Sequence, residues 1–284
     1  MNGKSARILL IFVFAARGTS FLFSKLLLQD LSPMNVIAVR FLLAFLVLAL
    51  VFHKKIRGCS RAALRGGLIL GAEYTFLMIL EMYGLRLVDS GVSSLIEHMA
   101  VVLVPLFTAF LARTLPKKKT VFCAVLAVAG VGFLSLTQSS SPGGTRGIFL
   151  LILAALTYTF CIMTTAKVSR GADPLTVGII QLGTMGVLSL AAALFTGGFR
   201  LPQTGRQWVL VLLLAFLCSC FGFAFQPVGQ KYVPADDAAI LTVVNPLTAS
   251  VLGIAAGESF GLLKLAGYIL ILTALVLYNL KKNP

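Results

Sequence analysis

Apolar runs alternate with short polar, glycine- or proline-bearing turns along the whole of this 284-residue chain. Ten such runs can be drawn, at about 8–28, 34–53, 67–87, 92–112, 120–138, 147–168, 174–196, 207–229, 237–257 and 262–280. Each is near the roughly 20 residues that a helix needs to cross a bilayer core. Helix is the element to expect, because a spanning segment must satisfy its backbone groups without water. The most informative stretch lies between Gly67 and Arg113, where two runs meet at Asp89-Ser90-Gly91 and carry Glu73, Glu81, Glu97 and His98 within apolar sequence. A carboxylate at mid-span costs roughly 3 kcal/mol on insertion scales, so such groups face a bundle interior or a wet cavity. Glu73, Leu77, Glu81 and Gly84 follow helical spacing and share roughly one face; Ser94, His98 and Val101 lie together on the next run, with Ser93 and Glu97 beside them. The hairpin reads as one wall of a polar cavity in a membrane protein.

The same pattern repeats. Pro33 opens the second run and Pro174 the seventh; Pro105-Leu106 and Pro246-Leu247 sit in the fourth and ninth; each pair is 141 positions apart. Two repeats, 1–141 and 142–284, hold five runs each, an odd number, so the second copy has to insert upside down. The expected fold is all-α and polytopic: ten transmembrane helices in two inverted five-helix repeats. Inverted repeats of this kind are the plan of secondary transporters, with the substrate site near the midplane where the halves meet.

Charge agrees with that topology. One side receives Lys4, Arg7, the five basic residues between His53 and Arg65, Arg113, Lys117, Lys118, Lys119, Lys167, Arg170, Lys231, Lys281 and Lys282. The other receives Arg146, Arg200 and Arg206, with Arg86 and Lys264 near its boundary. The positive-inside rule then places both termini in the cytoplasm and the chain in the cytoplasmic (inner) membrane. The formal charge of +15 is thereby explained without nucleic acid as a partner. Only 12% of residues are charged, about half the supply of a soluble domain, and 58% are hydrophobic. The opening segment resembles a secretory signal, yet its apolar character resumes after Arg17 and runs to Leu28, so it reads as a retained first helix. The five cysteines give no disulfide framework; Cys123, Cys161, Cys218 and Cys220 read as packing residues inside spans. No cofactor or metal is implied, and no GxxxxGK[ST] loop is present for ATP to drive the process directly.

The pattern Gly18-x-Ser20-Phe21, Lys25, Leu31-Ser32-Pro33 and Arg40-Phe41-Leu42-Leu43-Ala44 resembles the opening of an EamA-type member of the drug/metabolite transporter superfamily. Gly84-Leu85, Ser90-Gly91 and Val101-Val102-Leu103-Val104-Pro105-Leu106 are similar to that family's third and fourth helices, and Ile240 to Pro246 with Gly257-Glu258 to its ninth. The resemblance implies ten helices in two inverted repeats and the export or exchange of small metabolites, amino acids among them. Arg17 stands where the family commonly has Trp before Gly18, and Thr114 near the first-half position matching Glu258.

The candidate site residues are Arg17, Ser20, Glu73, Tyr74, Glu81, Glu97, His98, Tyr158 and Asn245. Arg17, Ser20 and Ser24 make one polar face of the first helix with Lys25 adjoining it, and Arg17 and Lys25 are candidates to neutralise the glutamates. Lys25 and Arg40 are near enough to span ends to snorkel. The planar fork of Arg17 suits a carboxylate, from Glu or from substrate. Glu81 and Glu97 suit a substrate ammonium or a proton. Thr157, Cys161 and Thr164 make a mildly polar face beside Tyr158, Gln181 is the counterpart of Arg40, and Asn245-Pro246 interrupts the ninth helix. Asp236 and Asp237 are expected to cap that helix, and Gly253 and Gly257 have the spacing of close helix contact, within one chain or across a homodimer. The expected function is alternating-access export or exchange of a small polar metabolite, an amino acid or related amine, by a monomer or homodimer in the lipid bilayer, with protons as candidate coupling ion. The alternatives are an exporter of organic cations or drugs, favoured by the glutamates with Tyr74 and Tyr158; a passive channel; and an intramembrane lipid-modifying enzyme, for which no HExxH or GxSxG pattern is present.

Overall fold

The computed structural model describes residues 3–138, 142–168, 171–196, 198–222, 232 and 241–279, and everything regular in them is helical. The elements are α1 (Gly3–Leu27), α2 (Pro33–Val51), α3 (His53–Arg57), α4 (Arg61–Leu87), α5 (Ser90–His98), α6 (Ala100–Leu111), α7 (Lys118–Gln138), α8 (Gly144–Val168), α9 (Pro174–Phe195) and α10 (Gly205–Leu213). A π-helical stretch, Leu214–Phe221, continues α10; α11 (Val244–Ala255) and α12 (Leu262–Asn279) follow. Among the described residues, seven helical segments are long and apolar enough to cross a membrane, α5 and α6 counting as one, and three shorter apolar ones accompany them.

Local chemistry explains where helices begin. Pro33 and Pro174 occupy the first helical turn, where a missing N–H costs nothing, behind Ser32 and Asp173, whose side chains accept from Asn35 N and Thr176 N. Ser60 caps α4 through Ala63 N, and Thr204 and Gln207 form a reciprocal capping box on α10. The cap at Ser60 starts α4 at Arg61, so the expected His53–Arg65 loop is short and contains α3. Asp236 and Asp237, the other expected cap, lie outside the described residues, as do Arg170, Lys231, Lys281 and Lys282.

The two halves share a helix plan. α1 and α8 are both 25 residues long and begin 141 positions apart. α6 and α11 are both 12 residues long and end alike. Each is followed by a left-handed residue, Arg113 (φ 51°) or Gly257 (φ 93°). In each, the next N–H reaches back five residues, Thr114 to Ala109 O and Glu258 to Gly253 O, both at 2.9 Å.

Three expectations need correction. The fourth run is two helices: the ladder breaks at Met99, whose N–H bonds Ile96 O three residues back. Pro246 does not interrupt a helix; the break precedes it at Thr242–Val243, and Pro246 stands in the first turn of α11. Gly253 and Gly257 take different roles within the chain, and the first alone meets a neighbouring helix there. A Cβ on Gly253 would strike Glu258 and Ser90 of the same chain, whereas Gly257 has nothing around it and supplies the left-handed turn.

Packing leaves a wall of apolar side chains outside. Phe12, Phe76, Phe110, Phe122, Phe149 and Phe195 are all exposed, as a lipid-facing surface requires. Inside, one apolar cluster joins α1, α2, α9 and α10 with its π-helical continuation, and another joins α5, α7, α8 and α12. All nine residues of α5 are buried.

Candidate functional site

Eight elements converge on a cavity of about 50 Å³ halfway along the bundle. α1 brings Arg17, Ser20 and Phe21; α2 brings Arg40 and Phe41; α4 brings Tyr74, Leu77, Met78 and Glu81. Glu97 comes from α5, Tyr158 from α8, Met185 from α9, Cys218 from the π-helical stretch and Asn245 from α11. The volume is a third of that of an apolar cavity that holds one benzene, about 150 Å³. A metabolite can enter only if the walls move.

Close backbone approach brings α11 to α1. A Cβ on Gly18 would fall 2.5 Å from Asn245 O and 2.7 Å from Thr248 Cβ, so only glycine lets Arg17 and Asn245 share a wall. Asn245 Oδ1 accepts from Ser94 Oγ (3.4 Å), tying α11 to α5. Cys218 Sγ donates to Ala16 O (3.1 Å), pinning the π-helical stretch to α1. The π turn adds one residue per hydrogen-bonded ring and places Cys218 towards the cavity and Ser219 towards Arg40.

The charged groups form two pairs. Glu81 and Glu97, both buried, meet carboxyl to carboxyl within hydrogen-bonding range. Their outer oxygens, Glu81 Oε2 and Glu97 Oε2, have no hydrogen-bond partner among the described residues. Facing them are two guanidinium groups. Arg17 hydrogen-bonds the Tyr158 hydroxyl and feels the charge of Glu97. Arg40, 8% exposed, donates from Nε to Ser219 Oγ at 2.9 Å and lies near Glu81 and Glu97. Tyr74 and Tyr158 meet edge to face, with centroids 6.2 Å apart.

Seven of the nine expected site residues line the cavity: Arg17, Ser20, Tyr74, Glu81, Glu97, Tyr158 and Asn245. Glu73 and His98 do not. Eight residues of helix turn through 80° beyond two full revolutions, so Glu73 leaves the face of Glu81 and accepts from Thr164 Oγ1 of α8 (3.1 Å). His98 is buried, with Nδ1 2.8 Å from Ser94 O; a carbonyl only accepts, so Nδ1 carries the proton. Arg40 was missing from the expected set. It does not snorkel; the cavity holds it, and its place amid ten apolar residues from Val36 to Leu46 is the sequence signal for burial. Lys25 does not neutralise the cavity glutamates. It reaches Val88 O (2.8 Å), Asp89 Oδ1 and Glu258 Oε1 (both 3.4 Å) at the end of the bundle where α1 finishes. No group of metal-ligating side chains occurs among the described residues.

The profile of the EamA-like transporter family matches this chain twice, over residues 4–136 and 145–280. The chain is similar to YetK of Bacillus subtilis, described as an uncharacterized transporter, at 25% identity over 94% of this chain and 84% of YetK. It is similar to an uncharacterized transporter of Archaeoglobus fulgidus at 25% identity, covering 93% of this chain and 82% of that one. A crystal structure superposes with a TM-score of 0.68 over 96% of both chains at 17% identity, a likeness of fold.

Proposed function

The chain belongs to the EamA-like transporter family and is a multi-pass membrane transporter of small molecules, and on that premise we propose that its cargo is a small zwitterion, an amino acid or close relative, exported by alternating access with protons as coupling ion. The family is one of transporters, so the intramembrane-enzyme reading is set aside.

What carries the proposal is the pairing of charges in one cavity: two guanidinium groups, Arg17 and Arg40, opposite two carboxyl groups, Glu81 and Glu97. A planar guanidinium takes a carboxylate with two parallel hydrogen bonds. The outer oxygens of Glu81 and Glu97 are acceptors without a protein donor, suited to an ammonium group. Two carboxylates in contact repel by roughly 4 kcal/mol at an effective dielectric constant near 20, a repulsion that one shared proton removes. A substrate ammonium replaces that proton, and its release is the coupling step. Tyr74 and Tyr158 offer ring faces and hydroxyls to the same ligand. A bare organic cation is opposed by Arg17 and Arg40, which is why the zwitterion is preferred.

In the topology we propose, ten helices form inverted repeats, 1–141 and 142–284, with both termini in the cytoplasm and the protein in the cytoplasmic membrane. The matching ends of α6 and α11 and the basic residues from Lys54 to Arg65 support it. The test is counterflow in proteoliposomes against a panel of amino acids and amines, with a pH-sensitive dye in the lumen. Saturable uptake of one or more amino acids accompanied by opposite proton movement is expected, abolished by Glu81→Gln and Glu97→Gln in folded protein. Uptake of amines alone, or wild-type rates in both variants, would refute the assignment.

A further inference from the structure

The strongest polar cluster of the molecule outside the cavity sits at the end of the bundle where α1 finishes. Lys264 is 2% exposed, yet its ammonium donates to Asp89 Oδ2 (2.8 Å) and Ser259 O (2.6 Å). Gln138 Nε2 donates to the same Asp89 oxygen (2.8 Å). Lys25 bridges Asp89 and Glu258. Glu258 in turn accepts from Ser90 N (2.6 Å) and Gly91 N (3.5 Å), the first two N–H groups of α5. Five segments are thereby fastened together: α1, the α4–α5 turn, the end of α7, the turn after α11 and the start of α12.

We infer that the Lys25–Asp89–Glu258–Lys264 network is the gate that closes the cavity at this end, and that it acts through α5. Glu258 neutralises the positive end of that helix. Seven residues further along, about 10 Å at 1.5 Å per residue, the same helix presents Glu97 to the cavity. Opening this end requires α1, α5, α11 and α12 to part, which breaks both Lys25 pairs and frees the helix terminus. Movement of α5 then carries Glu97 away from Glu81.

At the spacing of 141, Lys25 corresponds to Ala166, Asp89 to Gln230 and Glu258 to Lys117; at the 144 that separates the ends of α6 and α11, Glu258 corresponds to Thr114, so neither carboxylate is repeated. An ion pair at the opposite end, Lys55–Asp173 at 3.3 Å, joins side chains about half exposed, which water and salt screen. The Lys25–Asp89–Glu258–Lys264 gate is ionic and largely buried, and weakening it should bias the carrier towards opening at its own end.

Thiol accessibility reads this directly. In full-length protein with its five native cysteines replaced, Met78→Cys places a reporter on the cavity wall. A membrane-impermeant cationic methanethiosulfonate is applied to each face of reconstituted vesicles. A second chain keeping only Cys59, at the start of α4, identifies which face belongs to which end. With Asp89→Asn or Glu258→Gln added, labelling from the face where α1 finishes should accelerate roughly tenfold or more, as expected for loss of charge-assisted contacts. Labelling from the other face should not rise. Glu258→Gln keeps an acceptor for Ser90 N, so it decides the matter if Asp89→Asn fails to fold. Unchanged labelling in folded Glu258→Gln, or an equal rise from both faces, overturns the gate. No transported substrate is required, so a wrong cargo assignment leaves this result intact.

Discussion

Arg40 supplies the sharpest energetic test, because its main contact is a single buried bond. Arg40 Nε donates to Ser219 Oγ at 2.9 Å, and Ser219 is fully buried. Ser219→Ala removes the acceptor and leaves a charged donor unmatched, which should cost about 1.5–3 kcal/mol. Arg40→Met keeps the length of the side chain and removes the charge that faces Glu81 and Glu97. Breaking a buried ionic cluster by deleting one partner costs about 3–5 kcal/mol, so Arg40→Met should be the more damaging single change. In the double variant the serine has lost its partner already, and Ser219→Ala should add almost nothing. The coupling energy should then equal the Ser219→Ala cost, a factor of roughly 10 to 160 in the unfolding equilibrium.

The assay is equilibrium unfolding in detergent micelles of the wild type, both singles and the double, under conditions that refold. Additive effects within about 0.5 kcal/mol would show that the bond contributes nothing. A neutral Arg40→Met would go further: the carboxyl pair would not depend on Arg40 for charge, and the four-group cavity would fail as a description of the site.

Other expectations are simpler to read. Cys59, partly exposed between α3 and α4, should react with an impermeant thiol reagent only after cells are opened; prompt labelling of intact cells would reverse the proposed topology. Arg113 holds a left-handed φ of 51°, so Arg113→Gly should stabilise by about 1 kcal/mol and Gly257→Ala should destabilise similarly in thermal melts; the opposite order would refute the matched helix ends. Burial works to raise the Asp89 carboxyl pKa, but hydrogen bonds from Lys264 and Gln138 and the charges of Lys25 and Lys264 prevail and hold it below the ordinary range. Its contribution is therefore complete above the unfolded pKa and fades as pH falls through the folded one. The wild type should lose more melting temperature than Asp89→Asn between about pH 5 and 2; parallel curves would dismiss the network as a source of stability.

How far the sequence could lead follows from the distance over which each signal acts. Apolar runs marked most helices, because burial in lipid constrains every residue of a span. Glu81 and Glu97 were legible for the same reason: a mid-span carboxylate has few tolerable places. Glu73 met that criterion too but does not line the cavity, because two steps of four residues drift by 80° and the neighbouring α8 offers Thr164 instead. The break at Met99 and the π turn have no glycine or proline at the site to announce them; α5 packs on α11, α8 and α1, and the Leu214–Phe221 stretch on α1 and α2, contacts that no local pattern spells out.

The gate was the least legible feature, and the reason bears on reading other carriers with duplicated halves. Asp89 and Glu258 stand in turns, where a carboxylate ordinarily meets water or caps its own helix. Their partners lie 64 residues away in one case, Lys25 to Asp89, and 168 in another, Ser90 to Glu258. No local pattern connects them. What distinguishes them is a failure of repetition: neither has a carboxylate counterpart in the other half, where Gln230 stands for Asp89 and Thr114 or Lys117 for Glu258. Packing residues can be duplicated freely, since both halves need a core. A carboxylate present in only one copy serves one end of the molecule and not the other, and a carrier whose two gates must not open together can use that asymmetry.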